Sequence, residues 1–62
     1  MEKITIKQIR VGLDMTQKEM ADFLGLSRES YISRETGKLK FSFEEVKKIC
    51  DKAGVSLDSV KS

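Results

Sequence analysis

Arg28 and Glu29 stand directly behind the tripeptide Gly25-Leu26-Ser27, and Lys38 and Lys40 follow a further glycine, Gly37. Side chains of these types recognise rather than react. An arginine can place two hydrogen bonds on guanine O6 and N7, a glutamate can accept from cytosine N4, and lysines neutralise phosphates without reading sequence. Ser30 and Ser33 add short, base-tolerant hydroxyls on the same predicted helix. A reacting centre is harder to assemble. The chain has no histidine, no glycine-rich phosphate loop and a single cysteine, Cys50. Cys50 falls on the inner face of a predicted helix, whereas a reactive thiol needs an exposed, electropositive setting. A structural metal needs about four ligands dominated by sulfur or imidazole, so neither a metal nor a cofactor is expected. No enzyme is expected either.

Charge narrows the kind of recognition. Twelve Lys and Arg against ten Asp and Glu leave a net charge of +2. Binding to nucleic acid would therefore act through a local patch, not through a field covering the whole domain. Apolar residues never run longer than two in a row, so no membrane contact is expected and no targeting segment is visible. One cysteine makes no internal disulfide, which fits a reducing cytoplasm.

The elements that hold these residues are written in caps and stops. A chain of 62 residues supports one domain, spanning 1–62, with most of its apolar residues in one core. Ile6, Ile9 and Leu13 recur at helical spacing and predict a first helix over 5–13. Thr16-Gln17-Lys18-Glu19 is a capping box that opens a second helix over 17–24, and Gly25 supplies its left-handed stop. Ser27 caps a third helix from Arg28 to Thr36, ended by Gly37. Ser42-Phe43-Glu44-Glu45 opens a fourth, reaching Ala53, with Phe43, Val46, Ile49, Cys50 and Ala53 on its inner face. Gly54 closes it. Ser56 caps a fifth short helix from Leu57 to about Lys61, with Leu57 and Val60 facing in. Leu39–Phe43 alternates apolar and polar residues, but five residues without a partner make no sheet. The expectation is all-α, with five short helices.

Two short helices joined by so tight a turn cross steeply and push the second helix outward. Its N-terminus then presents free N–H groups and the positive end of its dipole. A DNA major groove is wide enough to admit such a helix.

The run Thr16-Gln17-Lys18-Glu19-Met20-Ala21-Asp22-Phe23-Leu24-Gly25-Leu26-Ser27-Arg28, with Glu35-Thr36-Gly37-Lys38 behind it, resembles the helix-turn-helix of the Cro and lambdoid-repressor (XRE-type) family. Gly54-Val55-Ser56-Leu57-Asp58 is similar to that family's closing turn, and the likeness covers roughly residues 5–60. It implies a compact lambda-repressor-like domain whose motif spans about 17–36. It implies that Ala21 is small because two helices touch there. It also implies that Gln17 contacts a phosphate, that Arg28, Glu29, Ser30 and Ser33 face the groove, and that Lys38 and Lys40 lie along the DNA backbone. Arg10 and Glu35 match a pair that forms a partly buried salt bridge in relatives. The function implied is sequence-specific regulation of transcription at a double-stranded operator, with a symmetric homodimer covering the full site.

Two departures from the pattern open a second reading. Arg34 stands where the family places an aliphatic residue directed at the core, and Ile32 where it places a polar one. The third helix is electrically neutral, with Arg28 and Arg34 offset by Glu29 and Glu35. An exposed surface of Glu29, Tyr31, Ile32 and Arg34 would suit a protein contact. On that reading the chain is a phage modulator or antirepressor that binds a partner repressor protein.

Overall fold

The computed structural model describes residues 3–61. Four helices account for most of them: α1 (Ile6–Gly12), α2 (Gln17–Leu24), α3 (Arg28–Glu35) and α4 (Phe43–Ala53). All four begin in the same way. Thr5, Thr16, Ser27 and Ser42 each adopt an extended backbone, and each side chain accepts from the N–H three residues on. In α1, α2 and α4 the bond is reciprocated by Gln8, Glu19 and Glu45, which completes a capping box. The residue before each cap and the fourth residue of each helix are apolar: Ile4 and Ile9, Met15 and Met20, Leu26 and Tyr31, Phe41 and Val46. In each couple the second residue is buried and the first packs partly buried against the core. These are the positions of a hydrophobic staple, which sets the angle at which the chain enters a helix. Four helices of only seven to eleven residues are marginal alone, so caps and shared burial together hold them.

The predicted fifth helix is replaced by a 3-10 turn, Leu57–Ser59, and by a two-residue strand. That strand, β2 (Val60–Lys61), pairs in parallel with β1 (Ile4–Thr5), setting Ile4 opposite Val60 and Thr5 opposite Lys61. The short sheet joins the two ends of the described chain. Strands of two residues have no period to read, and their pairing is a long-range contact, so neither leaves a local signal. Of Leu39–Phe43, the one alternating stretch, residues 39–42 are loop and Phe43 opens α4.

Two side chains expected to face inward do not. Phe43 is 68% exposed, because the first residue of α4 lies at the end of the helix where the core stops. Phe41 supplies the aromatic instead, with its ring 5.8 Å from that of Tyr31. Leu57 stays at the surface, because the chain leaves its turn for β2 and only Val60 enters the core. The core is formed by Ile6 and Ile9 of α1, Met20, Ala21 and Leu24 of α2, Tyr31 of α3, Val46, Ile49 and Cys50 of α4, and Val60. Among the described residues, no polar or charged one is buried along its whole length, backbone included. No described helix is long and apolar enough to cross a membrane.

Candidate nucleic-acid interface

The junction of α2 and α3 determines where the candidate residues point. Gly25 adopts φ 74°, a left-handed conformation that costs glycine little. The N–H of Leu26 then donates back to Ala21 O at 2.9 Å and that of Gly25 to Asp22 O at 3.2 Å. This Schellman ending satisfies the last carbonyls of α2 and reverses the chain within a few residues. Ser27 restarts it as a helix by capping the Ser30 N–H at 3.1 Å. Ala21 is fully buried, and α2 packs on α3 more extensively than any other two elements pack. A larger residue at Ala21 would force the two helices apart.

Within α3 the inner side is taken by Tyr31, which is 0% exposed. Residues turn about 100° along a helix, so Glu29 and Ser33 lie opposite Tyr31, with Thr36 next to them in the cap. Arg28, Glu29 and Thr36 are exposed, and Ile32 and Ser33 are half-buried. Thr36 was absent from the residues singled out above, although its spacing from Glu29 and Ser33 (i, i+4, i+7) was readable. Its hydroxyl donates to Ile32 O at 2.8 Å. Ser30 is engaged sideways: Arg34 Nη1 donates to its carbonyl oxygen at 2.9 Å and to its hydroxyl oxygen at 2.5 Å. Its hydroxyl thus serves an ion on the flank of α3 rather than the outward row.

Behind α3 the chain folds back on the helix end. Gly37 N–H donates to Arg34 O at 3.3 Å and Leu39 N–H to Ser33 O at 3.0 Å. Lys38 and Lys40 are exposed on this loop, and among the described residues neither they nor Arg28 enter an ion pair.

Glu35 gathers the polar groups under the motif. Arg10 Nε donates to its Oε2 at 2.9 Å and Arg10 Nη2 to its Oε1 at 3.4 Å. Gln17 Nε2 donates to Oε1 at 3.1 Å, and the Tyr31 hydroxyl donates to Oε2. Arg10 Nη1 also donates to Met15 O at 2.8 Å, tying in the segment before α2. The two ionic side chains are only 13% and 4% exposed. Burial alone would push the Glu35 carboxyl up, but hydrogen bonds from Arg10, Tyr31 and Gln17 outweigh it and hold the carboxyl below its usual range. The hydrogen bond to Glu35 raises Arg10 against the opposing effect of burial. Burial, then the hydrogen bond and charge of Glu35, drive the Tyr31 phenol well above its ordinary value. All three therefore stay in one state across the neutral range: Arg10 and Glu35 charged, Tyr31 neutral.

The four residues expected to meet a protein partner do not share one exposed surface. Tyr31 lies in the core, because it fills the staple position behind Leu26 and its hydroxyl has a partner in Glu35. Arg34 faces α4, its Nε lying 3.3 Å from Glu45 Oε1. Of the four residues, Glu29 is exposed and Ile32 half-buried. Cys50 is buried, and its thiol is pushed up by burial and by the charge of Asp51, the reverse of activation. No three metal-ligating side chains converge among the described residues.

A three-residue turn between a capped helix and an outward-facing one defines a helix-turn-helix domain. A family model described as helix-turn-helix matches residues 6–60, and the chain belongs to this XRE-type helix-turn-helix family. It is similar to the SPbeta prophage-derived uncharacterized HTH-type transcriptional regulator YonR of Bacillus subtilis (strain 168), with 36% identity over 53 residues. That alignment covers 86% of this chain and 49% of the relative, so the chain spans about half the relative's length. No solved structure gives a significant match.

Proposed function

We propose that this chain regulates transcription by binding double-stranded DNA at a specific operator, with α3 in the major groove. The observation that carries the reading is the presentation of α3. The tight end of α2 leaves Arg28 and Glu29 exposed at the helix N-terminus, and Lys38 and Lys40 exposed just behind its C-terminus. Arg28 is suited to a guanine edge, and Glu29 to a cytosine amino group. Ser33 lies between Glu29 and Thr36 on the outward row. Lys38 and Lys40 neutralise phosphates on one flank, and Gln17, at the first position of α2, donates to a phosphate on the other. An eight-residue helix reads only a few base pairs, so a full operator takes two copies about one DNA turn apart, related by a two-fold axis.

The test is a salt titration of binding to a labelled random-sequence duplex. Each phosphate neutralised contributes about −0.9 to the slope of log K against log salt. Lys38 and Lys40 thus predict a slope of about −2 for one chain and about −4 for a two-fold pair. A flat, barely measurable affinity, beside tight binding to the DNA-binding domain of another repressor, would replace this reading with that of a modulator acting on a protein partner.

A further inference from the structure

Gln17 makes one side-chain hydrogen bond among the described residues, and its partner is not solvent-facing. Its Nε2 donates to Glu35 Oε1 at 3.1 Å, across 18 positions of sequence. Glu35 is itself immobilised. Arg10 holds it from α1 through two nitrogens, and the Tyr31 hydroxyl holds it from within the core. A glutamine side chain in water samples many rotamers, and ordering it on binding costs free energy. Here the bond to Glu35 supplies part of that ordering before any ligand arrives. One Nε2 hydrogen is committed to Glu35, and a second hydrogen on the same nitrogen is left without a partner. Beside it, at the first two positions of α2, the backbone N–H groups of Gln17 and Lys18 have no helical acceptor. The Glu19 N–H is already taken by Thr16.

We infer that Glu35 is a positioning residue for DNA backbone binding: held by Arg10 and Tyr31, it fixes the Gln17 carboxamide so that its free Nε2–H donates to a phosphate at the start of α2. This rests on the DNA-binding reading above. The carboxylate does not repel the phosphate, because the Arg10 guanidinium neutralises it at 2.9 Å. Gln17 is uncharged, which gives the contact a signature separate from that of the lysines. Its loss lowers affinity without changing the salt slope, because no counterion is released on its account.

The experiment compares Gln17→Ala in two backgrounds by anisotropy with a labelled random-sequence duplex, alongside circular dichroism. One background is the wild type. The other is Arg10→Met/Tyr31→Phe/Glu35→Met, which removes the hub as a unit and leaves no charge unpaired, a replacement proteins often tolerate. In the wild type, Gln17→Ala should weaken binding by about tenfold at an unchanged slope. In the hub-less chain the same substitution should change affinity less than twofold. An equal loss in both backgrounds overturns the inference, as does no loss in the wild type. If the hub-less chain does not fold, the Gln17 carboxamide resonances of the wild type decide. One Nε2 proton should exchange slowly in the free protein, and the other should shift when duplex is added. Two fast-exchanging protons overturn the inference. A wild type without salt-dependent DNA binding would instead overturn the reading on which it rests.

Discussion

Arg34 Nε approaches Glu45 Oε1 to 3.3 Å, joining the last turn of α3 to the first turn of α4. That same Oε1 accepts the Ser42 N–H at 2.8 Å and completes the α4 capping box. Glu45 therefore serves a cap and an ion pair together, and the pair is not ideally made. Arg34 Nε is shielded from solvent, and the approach lacks hydrogen-bond alignment. Partly buried pairs of this kind often contribute nothing relative to an apolar residue of similar volume. Replacing both partners, as in Arg34→Leu/Glu45→Gln, which keeps an acceptor for the Ser42 cap, should therefore leave the thermal midpoint unchanged or raise it. Glu45→Ala should lower stability by about 1–2 kcal/mol, since it removes half of a capping box and leaves Arg34 without its partner. Denaturant unfolding should show the loss in Glu45→Ala alone, and a clear loss in Arg34→Leu/Glu45→Gln would refute this.

The Glu35 hub makes stability depend on pH at both ends. The folded carboxyl lies below its unfolded value, so its contribution is fully present above the unfolded carboxylate range and is lost as pH falls through the folded value. Tyr31 behaves in the opposite sense. Its folded value lies above the unfolded one, so its contribution is complete below about pH 10 and is lost on further alkalinisation. Urea midpoints measured across pH should thus fall on both sides of a broad plateau. Tyr31→Phe should flatten the alkaline fall and shrink the acid limb without abolishing it, because Arg10 and Gln17 still bond Glu35. An alkaline limb that survives in Tyr31→Phe would assign it to other groups.

Two glycines test whether backbone conformation or space decides a substitution. A Cβ on Gly12 or on Gly25 would meet nothing within 4 Å. Only Gly25 has a left-handed backbone, at φ 74°. Gly25→Ala should therefore destabilise by about 1–2 kcal/mol, all of it conformational. Gly12→Ala, at the last helical position of α1, should be neutral or stabilise by up to about 1 kcal/mol by restricting the unfolded chain. Equal effects at the two sites in thermal melts would mean that something other than φ governs them.

These local devices explain what was legible in the sequence. Thr16, Ser27 and Ser42 announce their helices, Gly25 and Gly54 stop theirs, and each signal lies within four residues of what it controls. Thr5 and Gln8 form the same box and mark the start of α1 at Ile6, one residue later than apolar spacing alone suggests. The inward direction of Tyr31 is also present, in its distance from Leu26, although the flanking Glu29 and Glu35 suggest an exposed protein contact. What could not be read was long-range. The pairing of Ile4 with Val60, the bond from Gln17 to Glu35 and the turn of Arg34 toward Glu45 each join residues that no local pattern relates. Phe43 shows the complementary limit, since its spacing belongs to the inner face and only the end of the core leaves it exposed.

The outward row of α3 separates residues that should read bases from residues that should not. Glu29, Ser33 and Thr36 lie opposite the buried Tyr31, and Arg28 is exposed in the first turn, whereas the Ser30 hydroxyl is bound by Arg34. Binding-site selection from a random duplex pool, repeated on single variants, distinguishes them. Arg28→Ala should relax preference at one position of each half-site, losing about 1–3 kcal/mol of discrimination there. Ser33→Ala or Thr36→Val should alter preference at neighbouring positions. Lys40→Ala should weaken every sequence alike and reduce the salt slope by about 1 per chain. Ser30→Ala should leave base preference intact and show its effect, if any, in the thermal midpoint. If Ser30→Ala changes the selected sequence while Ser33→Ala and Thr36→Val do not, α3 meets the groove on the flank that carries Arg34, and the assignment of its reading face must be rotated by about one residue.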